Sequence, residues 1–338
     1  MGTPLTTDGT GVLLLNLGTP DAPTAGAVRR YLREFLTDPR VIDLPRIPWR
    51  ILLEGVILPF RAPLSARRYR SIWTERGSPL LVYSEDLRER LADRLAVNRG
   101  DQPIPVALGM RYGAPSIRQA LRSLGALKRL LILPLYPQYS AATTASAFDG
   151  LAQSLTQNTR IPQICFLTDY HLEVGYLEAV SDSIRQGWQK DGAPDFLLFS
   201  FHGLPQKSVP HGDPYYHQCL ATAKAVSARL ALDPTRWSVS FQSRFGPAQW
   251  LSPYTLDRVV ELARTGIRTL DVICPGFACD CLETLEEITV ENAQAFHEAG
   301  GAVFRYLPAL NAGPGQVDAL AKLIERELAT QPITPSPT

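Results

Sequence analysis

One histidine and a short row of glutamates stand where side-chain chemistry could be put to use. His202 directly follows a continuous, largely apolar strand, residues 196–201 (FLLFSF), and precedes Gly203. Imidazole titrates closest to neutrality among the side chains, so a histidine at the end of a buried strand reads as a proton acceptor. The competing reading is a histidine that merely closes a turn. Glu283, Glu287 and Glu291 are spaced i, i+4 and i+8, which predicts that they share one face of a helix. Like charges at that spacing cost roughly 0.2–0.5 kcal/mol per pair, so the row opposes folding unless something offsets it. A solvated helix face is one explanation, and glutamates near a helix start also favour its dipole. A ligand is the other: carboxylate oxygens suit a hard or borderline divalent cation. A histidine opposite such a row, with few further ligands, fits transient metal handling better than storage.

The cysteines point elsewhere. Cys165 and Cys219 are isolated, and the spacing of Cys274, Cys279 and Cys281 matches neither a zinc site nor a ferredoxin loop. Reduced, buried thiols are the expectation, since an odd number scattered along the chain is no disulfide framework. Nucleotide chemistry lacks its usual loops. There is no Walker sequence, no Gly-x-Ser-x-Gly elbow, and no Gly-x-Gly-x-x-Gly after the first strand.

The elements that must position these groups alternate between short apolar runs and amphipathic stretches, the pattern of parallel sheets with crossing helices. Strands are predicted over residues 12–17, 104–108, 130–135 and 164–167, then 196–201, 237–241, 270–274 and 303–307. Helices are predicted over 25–36, 84–95 and 116–124, then 174–188, 216–230, 255–265, 282–299 and 316–328. The fold class that follows is α/β, with two doubly wound Rossmann-like lobes, each a parallel sheet flanked by helices. The expected domains are an N-terminal lobe (1–168) and a C-terminal lobe (169–312). A C-terminal helix (313–330) is expected to pack back on the N-terminal lobe, followed by a flexible tail (331–338). In such folds ligands bind beyond the carboxyl ends of the strands. The unusual segments lie there: NLGTP at 16–20, YPQYS at 136–140, HGLP at 202–205 and PGF at 275–277.

Composition narrows the function classes. With 338 residues, 45% hydrophobic and 20% charged, the chain is long enough for two cores and too apolar for disorder. Its 34 basic and 33 acidic side chains leave a net charge of +1, without the basic footprint of a nucleic-acid binder. No stretch nears the ~18 apolar residues of a membrane span; the closest, 51–60, is broken by Glu54 and Pro59. Residues 1–11 lack the basic start and apolar run of a secretory signal. A cytoplasmic, reducing location is expected.

Seven collinear stretches resemble the ferrochelatase family, the terminal heme-synthesis enzymes that insert Fe²⁺ into a porphyrin. They are 12–45 (LLLNLGTPDAP through VRRYLREFLTDPRVIDLP), 69–84 (YRSIWTERGSPLLVYS), 109–115 (GMRYGAP), 135–146 (LYPQYSAATTAS), 199–215 (FSFHGLPQKSVPHGDPY), 241–253 (FQSRFGPAQWLSP) and 274–287 (CPGFACDCLETLEE). The resemblance implies insertion of Fe²⁺ into protoporphyrin IX to give protoheme, with release of two protons. It assigns His202 and Glu283 to the active-site pair and Glu287 and Glu291 to an acidic ladder. All four are thereby candidate metal-handling residues. It sets Arg111 and Tyr112 near the pocket and Arg33 on the opening helix, with both arginines as candidate propionate partners because guanidinium matches carboxylate geometry. Leu17, Tyr136, Tyr139, Phe277 and Trp250 are candidate walls.

Which of His202 and Glu283 takes protons, and which presents iron, stays open at this level. Leu17 stands where the coproporphyrin-using branch has a tyrosine, which favours the protoporphyrin branch. No cysteine follows Cys281, so the extension that holds a [2Fe–2S] cluster in animal members is not expected. No cofactor is expected, since Fe²⁺ is a substrate. The expected partners are protoporphyrin IX and Fe²⁺, without nucleic acid, for a monomer or homodimer. The apolar, proline-punctuated residues 49–60 read either as ordinary domain packing or as a lip that makes peripheral membrane contact. A non-enzymatic tetrapyrrole or metal carrier would need the cleft but not the proton acceptor. A transferase with a nucleotide-linked donor would need the missing phosphate loops, and a cobalt-inserting relative would differ in substrate range.

Overall fold

The computed structural model describes residues 9–330, apart from 98–102, 157 and 247; the expected tail at 331–338 lies outside the described residues. Eight strands form two four-stranded sheets in which every pair is parallel. The strands β1 (Thr10–Thr19), β2 (Val106–Gly113), β3 (Arg129–Pro134) and β4 (Gln163–Phe166) pair in the order β2-β1-β3-β4. The strands β5 (Phe196–His202), β6 (Trp237–Gln242), β7 (Thr269–Ile273) and β8 (Val303–Leu307) repeat it as β6-β5-β7-β8. Residues 12–15, 130–133 and 196–199 are buried apolar runs, as strands covered on both faces require. All eight predicted strands are present. β2 runs beyond residue 108 to Gly113 and so carries Arg111 and Tyr112 within the sheet.

The helices are α1 (Ala25–Leu36), α2 (Arg46–Leu52), α3 (Leu58–Ile72), α4 (Pro79–Ala96), α5 (Ile117–Leu124), α6 (Ser146–Leu155), α7 (Val174–Asp191), α8 (Tyr215–Arg229), α9 (Thr255–Arg264), α10 (Ala293–Glu298) and α11 (Pro314–Thr330). A π-helical turn, Leu53–Ile57, joins α2 to α3. The resulting stretch was not predicted as helix because its prolines read as breaks. Pro59 sits in the first turn of α3, where a missing N–H costs nothing, and Pro63 is accommodated inside it. The helix predicted over 282–299 is π-wound from Glu283 to Asn292 and α-helical only in α10. In π winding the hydrogen bonds run i→i+5, and Asn292 Nδ2 donates to Glu287 O, five residues back, at 2.7 Å.

One apolar core runs from Val12 and Leu131 in the first sheet to Phe199 and Phe241 in the second, through α4, α7, α8 and α11. α11 is fastened at several points. Arg129 Nη1 donates to Leu328 O at 2.7 Å, Arg94 Nε to Asp318 at 2.8 Å, and Arg326 to Glu173, just before α7, at 2.8 Å. A second cluster, with Tyr31 and Leu32 of α1, Leu53, and Leu58, Ala62 and Tyr69 of α3, forms a cover that packs on Tyr112 of β2.

Candidate active site

The carboxyl ends of β5 and β6 meet the start of the π-helix. His202, the last residue of β5, sits in register with Gln242. Its Nδ1 lies 2.7 Å from the carbonyl of Gly203. A carbonyl only accepts, so Nδ1 carries a proton, and Nε2 is the ring atom left to exchange one. The ring lies beside Phe277, centroids 6.5 Å apart.

Ser243, next after Gln242, has φ of 63°, the left-handed region that non-glycine residues seldom occupy. Its backbone N–H donates to Glu287 Oε1 at 2.7 Å, and its hydroxyl donates to Oε2. Burial nevertheless raises the Glu287 pKa: the two Ser243 bonds and His202 work downward, and Glu283 adds to the rise. Gln242 Nε2 donates to Glu283 O at 3.0 Å, so adjacent residues at the end of β6 place both glutamates. Upstream, buried Asp280 accepts from Thr284 Oγ1 at 2.9 Å, Tyr306 OH at 2.6 Å and Asn311 Nδ2 at 2.7 Å, which pins the entry to the π-helix.

The Glu283 carboxylate faces the N-terminal lobe. Burial pushes the Tyr31 and Tyr69 phenols well above their ordinary range, and Glu283 adds to both shifts. The Cys281 thiol is pushed up by burial, with the Glu283 carboxylate beside it. Arg61 of α3 stacks over Phe245 with its guanidinium carbon 4.2 Å from the ring centroid. Burial lowers the Arg61 pKa while Glu283 works against that. Arg61 Nη1, Tyr136 OH, Trp250 Nε1 and Glu286 Oε2 are buried without a partner. An unpaired buried polar atom costs roughly 1–3 kcal/mol, so such atoms around one histidine and its glutamates fit a site shaped for a ligand with polar edges.

The sequence-predicted residues divide into those brought together and those engaged elsewhere. His202, Phe277, Glu283 and Glu287 meet as described. Leu17 lies between two apolar clusters at the exit of β1. Gly18 follows it with φ of 107°, and a Cβ there would fall 1.8 Å from Tyr112 O; only glycine lets β1 leave the sheet so close to β2. Tyr139 is held from the other lobe, its N–H donating to Gln218 Oε1 at 2.6 Å. Tyr136 is buried in the apolar cluster behind it.

Arg111 is not an open anion receptor. Its Nη2 donates to Asp38 Oδ2 at 2.5 Å and its Nε to Ser146 at 2.8 Å, while Tyr112 OH donates to the same Asp38 oxygen at 2.8 Å. Burial works upward on Asp38, but Ser146, the Arg40 N–H, Tyr112 and Arg111 outweigh it and hold the pKa below the ordinary range. Arg33 is likewise engaged: with Arg29 it grips Glu54 of the π-turn. The three glutamates of the expected row lie on one π-helix and have different partners. Glu287 turns to Ser243, whereas exposed Glu291 pairs with Arg68 at 3.1 Å, and Glu286 joins it at 3.4 Å. Glu286 and Glu291 are five apart, the spacing that π winding stacks.

Among the described residues, no three His, Cys, Asp or Glu side chains converge into a group able to hold a metal ion; the four candidates are laid out in sequence rather than as a cage. All five cysteines are buried and unpaired. Sequence reasoning missed Tyr31, Asp38, Arg61, Arg68, Tyr69, Ser243 and Glu286. For the tyrosines the only available signal was an apolar helix face, which reads as core.

A family model described as Ferrochelatase matches residues 9–328. The chain is 54% identical over 323 residues to the Ferrochelatase of Methylococcus capsulatus strain Bath, covering 95% of this chain and 97% of that protein. It is 48% identical over 323 residues to the Ferrochelatase of Aeromonas hydrophila subsp. hydrophila, covering 95% and 99%. Among solved structures, CbiX, described as the terminal enzyme for siroheme biosynthesis in denitrifying bacteria, aligns with a TM-score of 0.52 at 17% identity, covering 94% of this chain and 99% of that one. SirB from Bacillus subtilis aligns at 0.51 and 11% identity, covering 95% and 96%. These two share the fold.

Proposed function

The chain belongs to the ferrochelatase family, and we propose that it works with His202 as proton acceptor and the glutamates of the π-helix as the iron route. It inserts Fe²⁺ into protoporphyrin in the formation of heme; porphyrin and iron are its substrates. Two N–H protons leave the macrocycle as iron takes four nitrogens, so charge balances when both protons reach a base. The observation that carries the assignment is the His202 ring: Nδ1 is tied to a carbonyl, Nε2 is left to accept, and Glu287 lies close to the ring. General-base assistance of this kind contributes about 10²–10⁴-fold. Glu287, easier to protonate than an ordinary glutamate, serves both routes: it takes the proton onward and, ionised again, offers carboxylate oxygen to incoming iron. Glu283, facing the N-terminal lobe, presents iron with carboxylate oxygen, and the outer glutamates exchange its water for further oxygens.

Leu17, Tyr136, Tyr139 and Phe277 wall the macrocycle in this reading. Arg61, with its unpaired Nη1, replaces Arg33 and Arg111 as the propionate partner. No resident cofactor is required. An apolar Leu17 favours protoporphyrin IX over coproporphyrin III. A steady-state metallation assay with anaerobic Fe²⁺ and each porphyrin tests both points: a higher kcat/KM for protoporphyrin IX is expected. A rate no higher than the uncatalysed one would leave a carrier, and preference for coproporphyrin III would overturn the branch.

Contact with a lipid surface is the second part of the proposal. No helix among the described residues is long and apolar enough to cross a membrane. Ile47, Ile51 and Phe60 on the cover are each more than 70% exposed, with Val56 and Leu64 beside them and exposed Arg46, Arg50, Arg67 and Arg70 around them. Apolar side chains ringed by arginine suit an anionic bilayer surface reached from the cytoplasm. Co-sedimentation with phosphatidylglycerol vesicles is expected, and Phe60→Ser with Ile51→Ser is expected to abolish it.

A further inference from the structure

Arg68 links two parts of the site. It projects from α3, whose Arg61 and Tyr69 lie beside Glu283, and it contacts Glu286 and Glu291 on the π-helix at 3.4 and 3.1 Å. Its side chain is 50% exposed, Glu291 is 44% exposed and Glu286 is 15% exposed. An ion pair in such a setting is weak. Glu286 is also poorly satisfied: its Oε2 has no partner, and burial raises its pKa, with Arg68 the opposing influence and Glu291 and Glu283 adding to the rise. The three groups therefore form an outer station in which one guanidinium neutralises two carboxylates loosely.

We propose that Arg68 is a positioning residue that occupies the mouth of the iron route as its resting cation, and that incoming Fe²⁺ displaces it. This rests on the π-helix glutamates being the iron route. The exchange is a simple replacement of one cation by another: Fe²⁺ gives up water for Glu286 and Glu291 oxygens, and the guanidinium is returned to solvent. A divalent ion carries twice the charge of Arg68 and takes oxygen ligands directly, so the exchange is favourable where a single charge holds only weakly. Because Arg68 belongs to the cover, the same event releases α3 from the π-helix. Metal arrival is thereby communicated to the element that carries Arg61 and Tyr69.

The test is steady-state kinetics with anaerobic Fe²⁺ and protoporphyrin IX on the full chain. Arg68→Gln removes the competing cation and the strap together. KM for Fe²⁺ is expected to fall by about three- to tenfold, the range set by one or two weak ion pairs, while KM for porphyrin rises. Arg68→Lys keeps the charge and is expected to return KM for Fe²⁺ to within about twofold of the parent. A strut without an electrostatic role would raise KM for porphyrin alone. An unchanged or higher KM for Fe²⁺ in Arg68→Gln overturns the inference, as does Arg68→Lys behaving like Arg68→Gln. Glu291→Gln measured alongside separates the two levels. If it and Glu287→Gln both leave KM for Fe²⁺ unaltered, the iron route itself is wrong; if they raise it while Arg68→Gln does not lower it, only the role of Arg68 falls.

Discussion

The two lobes share one strand order and differ in how they treat a buried carboxylate. In the N-terminal lobe, Asp38 accepts from Arg111, Tyr112 and Ser146, and its pKa lies below the ordinary range although burial pulls upward. In the C-terminal lobe, among the described residues, Glu287 accepts from Ser243 alone, a residue in left-handed backbone, and burial wins, raising its pKa. The first carboxylate is a structural anchor that joins the end of α1 to β2 and α6. The second is left easier to protonate than an ordinary glutamate. The same scaffold thus yields a wall from one half and chemistry from the other, decided by how many donors each loop supplies.

The largest effect that would break this division is on His202. Replacing it with Ala is expected to lower kcat by about 10²–10⁴-fold with an unshifted Tm, since its described hydrogen bond is to its own neighbour. Near-normal turnover would move the proton acceptor elsewhere. Asp38→Asn is the mirror case. Leaving Arg111 buried against a neutral amide is expected to cost about 3–5 kcal/mol, read as a fall in Tm. The folded Asp38 pKa lies below its unfolded value, so its contribution is present above the ordinary carboxylate range and lost on acidification. The Tm gap between parent and variant should therefore narrow as the pH falls through that range.

Glu287→Gln carries the opposite sign. A raised folded pKa means that the contribution of the carboxyl is full below its unfolded value and lost as pH rises through the folded one. The variant is expected to gain in Tm relative to the parent as pH rises above the ordinary carboxylate range, and to raise KM for Fe²⁺ by more than it raises KM for porphyrin. Equal increases in the two would place Glu287 off the iron route. The smallest effect is expected from Arg33→Ala. Its guanidinium is spent on Glu54 at a half-exposed site, so kcat and both KM values should stay within about twofold of the parent. A large rise in KM for porphyrin would restore Arg33 as a propionate partner.

The strands were legible because a strand buried on both faces leaves an apolar run in the chain, as residues 12–15, 130–133 and 196–199 do. His202 was legible for the same reason, by following such a run. The cover at 46–72 was not, because helix was hidden by prolines that the first turn tolerates. Arg111 was set near the pocket by the resemblance alone; its partner Asp38 lies 73 residues away, and no local pattern announces that pairing. The glutamates stood out in the chain by type and spacing, but their partners did not: Glu287 is taken up by Ser243 and Glu291 by Arg68, 44 and 223 residues away.

Since α11 is bolted to the β3 end of one sheet and to the entry of α7 beside the other, prising the halves apart would tear a shared core. The two sheets behave as a fixed anvil. The 46–72 cover reaches the far half through Arg61 on Phe245, Arg68 on Glu286 and Glu291, and Leu282 packed against its apolar cluster. Loosening those few contacts is expected to free the cover while the anvil beneath it keeps its shape.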